Sequence, residues 1–222
     1  MKKQVVVIGL GRFGSNVVKS FYNLGHDVLA IDKNEDRVQI IMGQASYALS
    51  GDATNEMVLR DLGIQNYDAA VVAIGADMVA SITTDVLLKT MGVRYVVARA
   101  HDELHSNTLE LIGVDKIIQP ESEMGVRLAH NLFNPDVEEY LEITPNYGIS
   151  KMKVPKRFNA MSLEELGLVN QRDKLGLSVL AVRRGNDITL NPDPSDRLQD
   201  GDWIVLVGGD ELLYRLETEE GD

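Results

Sequence analysis

A glycine pattern placed directly after a short apolar stretch constrains the fold more than any other feature of the chain. The apolar run Val5–Ile8 is followed by Gly-Leu-Gly-Arg-Phe-Gly at residues 9–14, and a stretch with helical periodicity comes next. In such a strand–turn–helix, the first glycine permits a tight turn, the second lets backbone approach a phosphate, and the third lets helix and strand pack closely. Because the helix N-terminus presents free N–H groups to an anion, residues 9–14 are predicted to form a nucleotide-phosphate loop.

Short apolar runs alternate with amphipathic stretches along the first 118 residues. Strands that are almost wholly apolar suit a sheet covered on both faces, and short strand–helix connections enforce parallel pairing. This half therefore predicts an α/β fold with a Rossmann-like doubly wound parallel sheet. The predicted strands are Gln4–Ile8, Asp27–Ile31, Tyr47–Leu49, Ala69–Ile74, Tyr95–Arg99 and Lys116–Ile118. The predicted helices span residues 12–25, 35–43, 55–62, 77–91 and 102–112.

The pattern changes after residue 120. A connecting helix is predicted over residues 121–132, where the pair Asn134-Pro135 breaks it, and short strand patterns then indicate a small α+β lobe. The predicted strands of this lobe are Leu141–Ile143, Ile149–Val154, Ser178–Arg183, Ile188–Leu190 and Trp203–Val207. A two-residue turn is predicted at Gly185-Asn186, and short helices are predicted to begin near Ser162, through a capping box with Glu165, and near Asp210. The predicted organisation is a nucleotide-binding lobe over residues 1–120, a segment with the connecting helix over 121–139, and the small α+β lobe over 140–222.

Charge and cysteine content exclude several classes of protein. The chain carries 34 acidic and 22 basic side chains, a formal net charge of −12, and no cysteine. We expect no nucleic-acid partner, because an acidic chain repels phosphates, and the lack of cysteine excludes disulfides, thiolate metal sites and a cysteine nucleophile. No run reaches the ~18 apolar residues of a membrane span, and no signal peptide is recognisable, so a cytoplasmic protein is expected.

Acidic and small residues follow the predicted strands at the edge where open α/β sheets bind ligands. Asp32 ends the second strand and would accept hydrogen bonds from ribose hydroxyls, which favours an adenosine without a 2′-phosphate; a simple strand-end cap is the alternative. Residues 51–54 and 74–77 close the third and fourth strands and are candidates for contact with adenine or ribose. Asp52 and Thr54 could equally form a turn and a helix cap.

Reactive side chains are sparse. His101 and His105 have the spacing of a two-histidine metal site, but no third ligand is apparent, which favours a solvated helix face. The sequence has no Gly-x-Ser-x-Gly nucleophile elbow, and residues 140–222 contain no histidine that could serve as an acid–base group. The chain is therefore predicted to bind a nucleotide as a sensor rather than to catalyse a reaction.

The motifs resemble those of RCK (KTN) regulatory subunits of bacterial Ktr/Trk-type potassium uptake systems, closest to the KtrA/KtrC group. The resemblance extends over the whole chain and includes a second lobe of the TrkA-C type. It rests on residues 7–14, Asp32, residues 51–54, residues 72–75, Gln119-Pro120-Glu121, Met124-Gly125, Arg172 and Gly201-Asp202.

This resemblance implies a nucleotide-sensing subunit without enzymatic activity at the inner face of the membrane, where it gates a potassium transporter subunit of the KtrB/TrkH type. ATP would activate and ADP would inactivate, by changing the shape of a homo-octameric ring built from four homodimers through the crossover helix after Pro120. Arg12 would reach the γ-phosphate held by the partner subunit, although an ordinary exposed arginine is an equal interpretation from local physics. Glu121 would help to hold Mg²⁺ or another cation. The implied nucleotide-binding residues are Gly9, Leu10, Gly11, Arg12, Phe13, Gly14, Asp32, Asp52, Ala53, Ala73, Ile74, Gly75, Arg99 and Glu121.

The TrkA-C module of this family binds cyclic di-AMP between two subunits, and Arg172 matches a position that contacts that ligand. The neighbouring Asp173 and Leu175 depart from the residues usual in the family. Two alternatives share the glycines and Asp32: a Trk-type regulatory subunit that binds NAD(H), and a small NAD-dependent oxidoreductase. A purely structural module would leave the glycine–acid spacing unexplained.

Overall fold

The computed structural model describes residues 1–131, 137–168 and 176–218, and the chain divides into two compact units, Met1–Pro120 and Glu121–Asp222. Every strand pair in the first unit is parallel, and the spatial order reverses at the first strand, which is where open α/β sheets bind ligands. The strands are β1 (Gln4–Ile8), β2 (Asp27–Asp32), β3 (Tyr47–Ser50), β4 (Ala69–Val72), β5 (Val96–Arg99) and β6 (Lys116–Ile118), in the order β3-β2-β1-β4-β5-β6.

Helices cover both faces of this sheet. They are α1 (Arg12–Asn23), α2 (Glu35–Ile41), α3 (Glu56–Asp61), α4 (Met78–Thr90) and α5 (Glu103–Ile112), and α6 (Pro120–Asn131) begins at the boundary between the units. On β1, Val6 and Ile8 pack into one apolar cluster, whereas Val5 and Val7 pack into another on the opposite face. The almost wholly apolar strands therefore bury both of their faces, as their composition predicts.

The second unit contains a five-stranded antiparallel sheet. Its elements are β7 (Val137–Thr144), β8 (Tyr147–Lys153), β9 (Leu177–Arg184), β10 (Asp187–Leu190), β11 (Trp203–Gly209) and α7 (Asp210–Thr218), and the strand order is β10-β9-β11-β8-β7. Alternate residues of the central strands, including Met152, Ile204 and Leu206, fill its apolar core. Arg184 pairs with Asp187 across the predicted Gly185-Asn186 turn. The predicted fold class is confirmed in both units.

Two local predictions were wrong. Thr54 does not cap α3; Asn55 does, because its Oδ1 atom accepts a hydrogen bond from the Met57 amide. No helix begins at Ser162, although the predicted reciprocal bonds between Ser162 and Glu165 do form. The Leu163 amide donates instead to the distant Asp196 carbonyl, so a tertiary contact replaces the continuation of the helix.

An ion pair between the exposed Arg184 and the buried Asp202 holds the start of β11. Asp202 is almost fully buried and accepts hydrogen bonds from Nε and Nη2 of Arg184 at 3.0 and 2.7 Å, and from the Gln199 amide at 2.8 Å. Burial is the largest influence and raises the pKa of Asp202, but the hydrogen bonds from Arg184 and the Gln199 amide, together with the Arg184 charge, outweigh it and hold the pKa below its usual value. The carboxylate form is therefore the stable form in the folded chain.

Replacing this carboxylate is expected to destabilise the second unit. Asp202→Asn removes the charge that pairs with Arg184, and we expect a loss of about 1–3 kcal/mol in unfolding free energy at neutral pH. Because the folded-state pKa is lowered, the stabilisation exists above the unfolded pKa and disappears as pH falls through the folded value, so the difference from the unaltered chain should shrink in acid. Trp203, the single tryptophan, reports denaturant unfolding of this unit by fluorescence. Exposed Asp187→Asn is the control, and a difference that persists in acid would contradict the argument.

Candidate functional site

The loop between β1 and α1 is built on two glycines that the protein's own packing requires. Gly9 has φ of +94°, and a Cβ atom there would lie 3.0 Å from the Ala73 carbonyl carbon and the Ile74 nitrogen. A Cβ atom on Gly14 would lie 1.8 Å from the Gly9 carbonyl oxygen. The chain therefore needs glycine at both positions to press the loop against the ends of β1 and β4.

Gly11 is different, because neither its backbone conformation nor packing among the described residues requires a glycine. Its φ of −66° and ψ of −174° suit any residue, and a Cβ atom placed there would meet nothing within 4 Å. The glycine thus leaves open space on the outer side of the loop. Close approach of a ligand to bare backbone is the role that this space can serve.

The N-terminus of α1 is free to bind an anion. Its N-cap, Gly11, makes no side-chain cap bond, and its first turn carries no acidic residue. The other described α-helices each have an acidic residue at the N-cap or in the first turn, as with Asp77 of α4 and Glu35 of α2. The partial positive charge of α1 is therefore uncompensated by its own side chains. Arg12, its first residue, is exposed.

Asp32, at the end of β2, lies against this loop and is almost fully buried. Its Oδ2 atom accepts a hydrogen bond of 2.6 Å from the Leu10 amide, and its Oδ1 atom accepts one of 2.9 Å from the Asn34 amide. The structure therefore brings the predicted ribose acceptor and the phosphate loop into direct contact. The bond from the Asn34 amide also makes Asp32 a cap for the end of β2, so both predicted roles are compatible with its position.

The ends of β4 and β5 meet at Gly75. A Cβ atom on Gly75 would lie 1.9 Å from Nη1 of Arg99, so the Arg99 guanidinium rests on the bare backbone of this glycine. Ala73 is buried beside Gly9 and Gly14, and Ile74 packs against the core of the first unit. The structure thus places Arg99 next to the segment following β4, and both were predicted to belong to one site.

Asp52 follows β3 and forms a tight turn. Its Oδ1 atom accepts hydrogen bonds from the amide and the hydroxyl of Thr54 at 2.9 and 2.7 Å, and these bonds, the hydroxyl first, lower the pKa of Asp52. The side chain of Ala53 points into the apolar core, so only its backbone can face a nucleotide. These geometries favour the turn interpretation of residues 52–54.

Two further predicted residues belong to the second unit. Glu121 is exposed in the first turn of α6, in the second unit, and Arg172 lies outside the described residues. The predicted solvated position of His105 was wrong: it is buried, and its Nδ1 atom accepts a hydrogen bond from the His101 amide. In the described ranges, no three histidine, aspartate or glutamate side chains gather to hold a metal. No helix there is long and apolar enough to cross a bilayer.

Two basic residues beside Asp32 and Asp77 were not among the predicted site residues. Arg37 reaches Oδ2 of Asp32 from the first turn of α2, and Lys33 reaches Oδ2 of Asp77 at 3.8 Å. Arg37 follows Asp32 by five residues, across a strand–helix turn whose cap, Asn34, is recognisable in the sequence. That spacing is the signal that could have identified Arg37.

Comparisons with known proteins agree with this geometry. The TrkA-N domain family matches residues 5–120. A Ktr system potassium uptake protein A of Bacillus subtilis is 37% identical over 217 residues, which cover 98% of this chain and 96% of that protein. A Ktr system potassium uptake protein A of Vibrio alginolyticus is also 37% identical over 217 residues, with 97% of each chain covered.

Solved structures share the fold at low sequence identity. The structure of the GsuK channel bound to NAD has a TM-score of 0.66 and 17% identity, and the match covers 100% of this chain but only 40% of that one. The GsuK RCK domain has a TM-score of 0.54 and 20% identity, with 96% of this chain and 45% of that one covered. Since the family model covers more than half of the chain and the Ktr relatives align over nearly its full length, the chain belongs to the TrkA-N family and, within it, to the RCK proteins of Ktr potassium uptake systems.

Proposed function

We propose that this chain is a cytoplasmic nucleotide-sensing regulatory subunit that gates a potassium transporter at the inner face of the membrane and catalyses no reaction. The observation that carries the proposal is Gly11, a glycine that neither backbone conformation nor packing requires and that opens the loop to a ligand. The names of the Ktr relatives support the potassium transporter as partner. A membrane-embedded subunit of the KtrB/TrkH type is the partner that the resemblance implies.

ATP and ADP are the proposed ligands. Their shared adenosine diphosphate would place phosphates at the N-terminus of α1 and the ribose beside Asp32. A switch needs differential affinity of the ligand for two states, and the γ-phosphate is the difference between the two nucleotides. The exposed Arg12 would bind that phosphate from the partner subunit, through a charge-assisted hydrogen bond of about 1.5–3 kcal/mol, so that ATP activates and ADP inactivates.

Assembly into homodimers and then a homo-octameric ring is proposed from the resemblance. The exposed Met124 and Leu128 lie one turn apart on α6 and give this helix an apolar stripe suited to dimerisation. Glu121, in the first turn of α6, would contribute a carboxylate ligand to a cation such as Mg²⁺, which proteins bind through one or two carboxylates together with nucleotide phosphates. Binding of cyclic di-AMP near Arg172 is a further proposal for the second unit.

NAD(H) as the regulatory ligand is the second candidate. A solved structural neighbour, the GsuK channel, is bound to NAD, and NAD contains the same adenosine diphosphate that the loop and Asp32 would recognise. This candidate keeps the regulatory role and changes only the metabolic signal. An NAD-dependent oxidoreductase has less support, because residues 140–222 supply no histidine for acid–base catalysis.

Thermal unfolding with ATP, ADP, NADH and cyclic di-AMP tests the proposal. A ligand at 100 times its Kd adds about 2.7 kcal/mol to stability, so ATP and ADP are expected to raise Tm by several degrees. Asp32→Ala should abolish both shifts, because the ribose loses its acceptor. Arg12→Ala should spare the ADP shift and weaken that of ATP. Each variant is compared with the unaltered chain in the absence of ligand, to separate lost binding from lost folding.

The outcomes distinguish the candidates. If NADH alone raises Tm, the regulatory ligand is NAD(H), and the protein senses redox state instead of the ratio of ATP to ADP. Turnover of NADH with a small redox substrate would contradict the absence of catalysis. If no nucleotide shifts Tm, the nucleotide-sensing proposal fails.

A further inference from the structure

The turn between β2 and α2 closes on itself through hydrogen bonds among three residues. The Asn34 amide donates to Oδ1 of Asp32 at 2.9 Å, and the Arg37 amide donates to Oδ1 of Asn34 at 3.3 Å. Nη1 of Arg37 then returns to Oδ2 of Asp32 at 3.4 Å. This closed ring of contacts fixes the position of the Asp32 carboxylate relative to the first turn of α2.

The two carboxylate oxygens of Asp32 accept different numbers of hydrogen bonds. Among the described residues, Oδ2 accepts from both the Leu10 amide and Arg37, whereas Oδ1 accepts only from the Asn34 amide. A carboxylate oxygen has about two lone-pair positions. Oδ2 is therefore saturated, and the one remaining acceptor position is on Oδ1.

We propose that Arg37 is a positioning residue for nucleotide recognition: by occupying Oδ2 of Asp32, it leaves this carboxylate a single acceptor position for the ribose diol. This inference rests on the proposed nucleotide binding at the glycine loop. Asp32 then hydrogen-bonds directly to only one of the two ribose hydroxyls. Without Arg37, Oδ2 regains an acceptor position and the carboxylate accepts from either hydroxyl.

Arg37 is the side chain that makes this difference. The other two donors to Asp32 are backbone amides of Leu10 and Asn34, which no substitution of their own side chains removes. The neighbouring cation, Lys33, makes its ion pair with Asp77. Arg37 is itself half-exposed, with 53% of its side chain accessible, so its replacement leaves the apolar core intact.

Calorimetric titration of the full chain with ADP, 2′-deoxy-ADP and 3′-deoxy-ADP tests the inference. One deoxy analogue is expected to bind about tenfold more weakly than the other, because only one hydroxyl bonds to the charged acceptor. In Arg37→Ala this ratio between the two analogues should fall towards one, and Arg37→Lys should restore part of it. Arg60→Ala is the matched control, since Arg60 is an exposed arginine of α3 that pairs with Glu56.

The ratio between analogues separates this role from general destabilisation, which weakens both ligands equally. The inference would be overturned if the unaltered chain bound ADP but bound the two deoxy analogues with equal affinity. It would also be overturned if Arg37→Ala left the ratio of the two affinities unchanged. Either result would leave the proposed function intact. Failure of the unaltered chain to bind ADP would overturn the proposed ATP and ADP sensing, and the inference with it.

Discussion

Gly14→Ala is expected to destabilise the first unit by about 3 kcal/mol and to abolish nucleotide binding. The new Cβ atom would lie 1.8 Å from the Gly9 carbonyl oxygen and 3.0 Å from Cβ of Ala73. A flexible side chain could move away, but the Gly9 carbonyl is backbone, and the Gly9 amide is held by a hydrogen bond to the Ile31 carbonyl. Relief therefore requires α1 to separate from β1, which opens the phosphate loop.

Gly11→Ala is the matched control, because its Cβ atom meets nothing and its backbone suits alanine. We expect its unfolding free energy to stay within about 0.5 kcal/mol of the unaltered chain, while ADP affinity falls at least about tenfold. Denaturant unfolding by circular dichroism and calorimetric titration give the two quantities. Equal destabilisation by both substitutions, or unchanged ADP affinity in Gly11→Ala, would contradict the assignment of the loop.

Asp85→Asn is expected to make the chain more stable at about pH 8 and to remove a steep dependence of stability on pH. Asp85 lies on the inward face of α4, fully buried near Leu88. Burial raises the pKa of Asp85 to about 8, and the Ser81 hydroxyl one turn earlier opposes that rise. Neither group makes a well-formed hydrogen bond within the described parts of the chain.

The sign follows from where the proton is bound. The folded chain keeps a proton on Asp85 up to about pH 8, whereas the unfolded carboxyl releases it near pH 4. Between these values unfolding releases a proton, so stability falls as pH rises, by about 1.4 kcal/mol per pH unit. Asparagine has no proton to lose, so the stability advantage of the variant should shrink as pH falls.

Urea unfolding of the two chains between about pH 5 and pH 8 measures this dependence. Asp61→Asn is the control, because it removes an exposed carboxylate from the same unit. Its unfolding free energy should change with pH as steeply as that of the unaltered chain. Parallel pH profiles for Asp85→Asn and the unaltered chain would show that Asp85 ionises normally in the folded state. An aspartate at this buried position is a cost that the sequence alone does not reveal.

Local signals predicted the glycine-rich turn between β1 and α1 because its requirements are local. The glycine spacing, the preceding apolar strand and the acid at the end of β2 each constrain a turn of a few residues, and parallel strands bring those turns to one edge. For the same reason, the Gly185-Asn186 turn is predicted from the sequence and is present in the structure. Strand composition alone likewise indicates a sheet buried on both faces.

Contacts between distant segments decided the rest. The helix predicted at Ser162 is replaced by a turn because Asp196 takes the Leu163 amide, and His105 is buried although its helix begins with polar residues. The Arg37 contact with Asp32 depends on side-chain direction across a turn, which spacing does not specify. The sequence thus determines which segments form strands and loops, and which helix begins without an acidic residue. Packing decides which polar groups are buried, saturated or left open to a ligand, because burial and hydrogen-bond partners come from residues far apart in the chain.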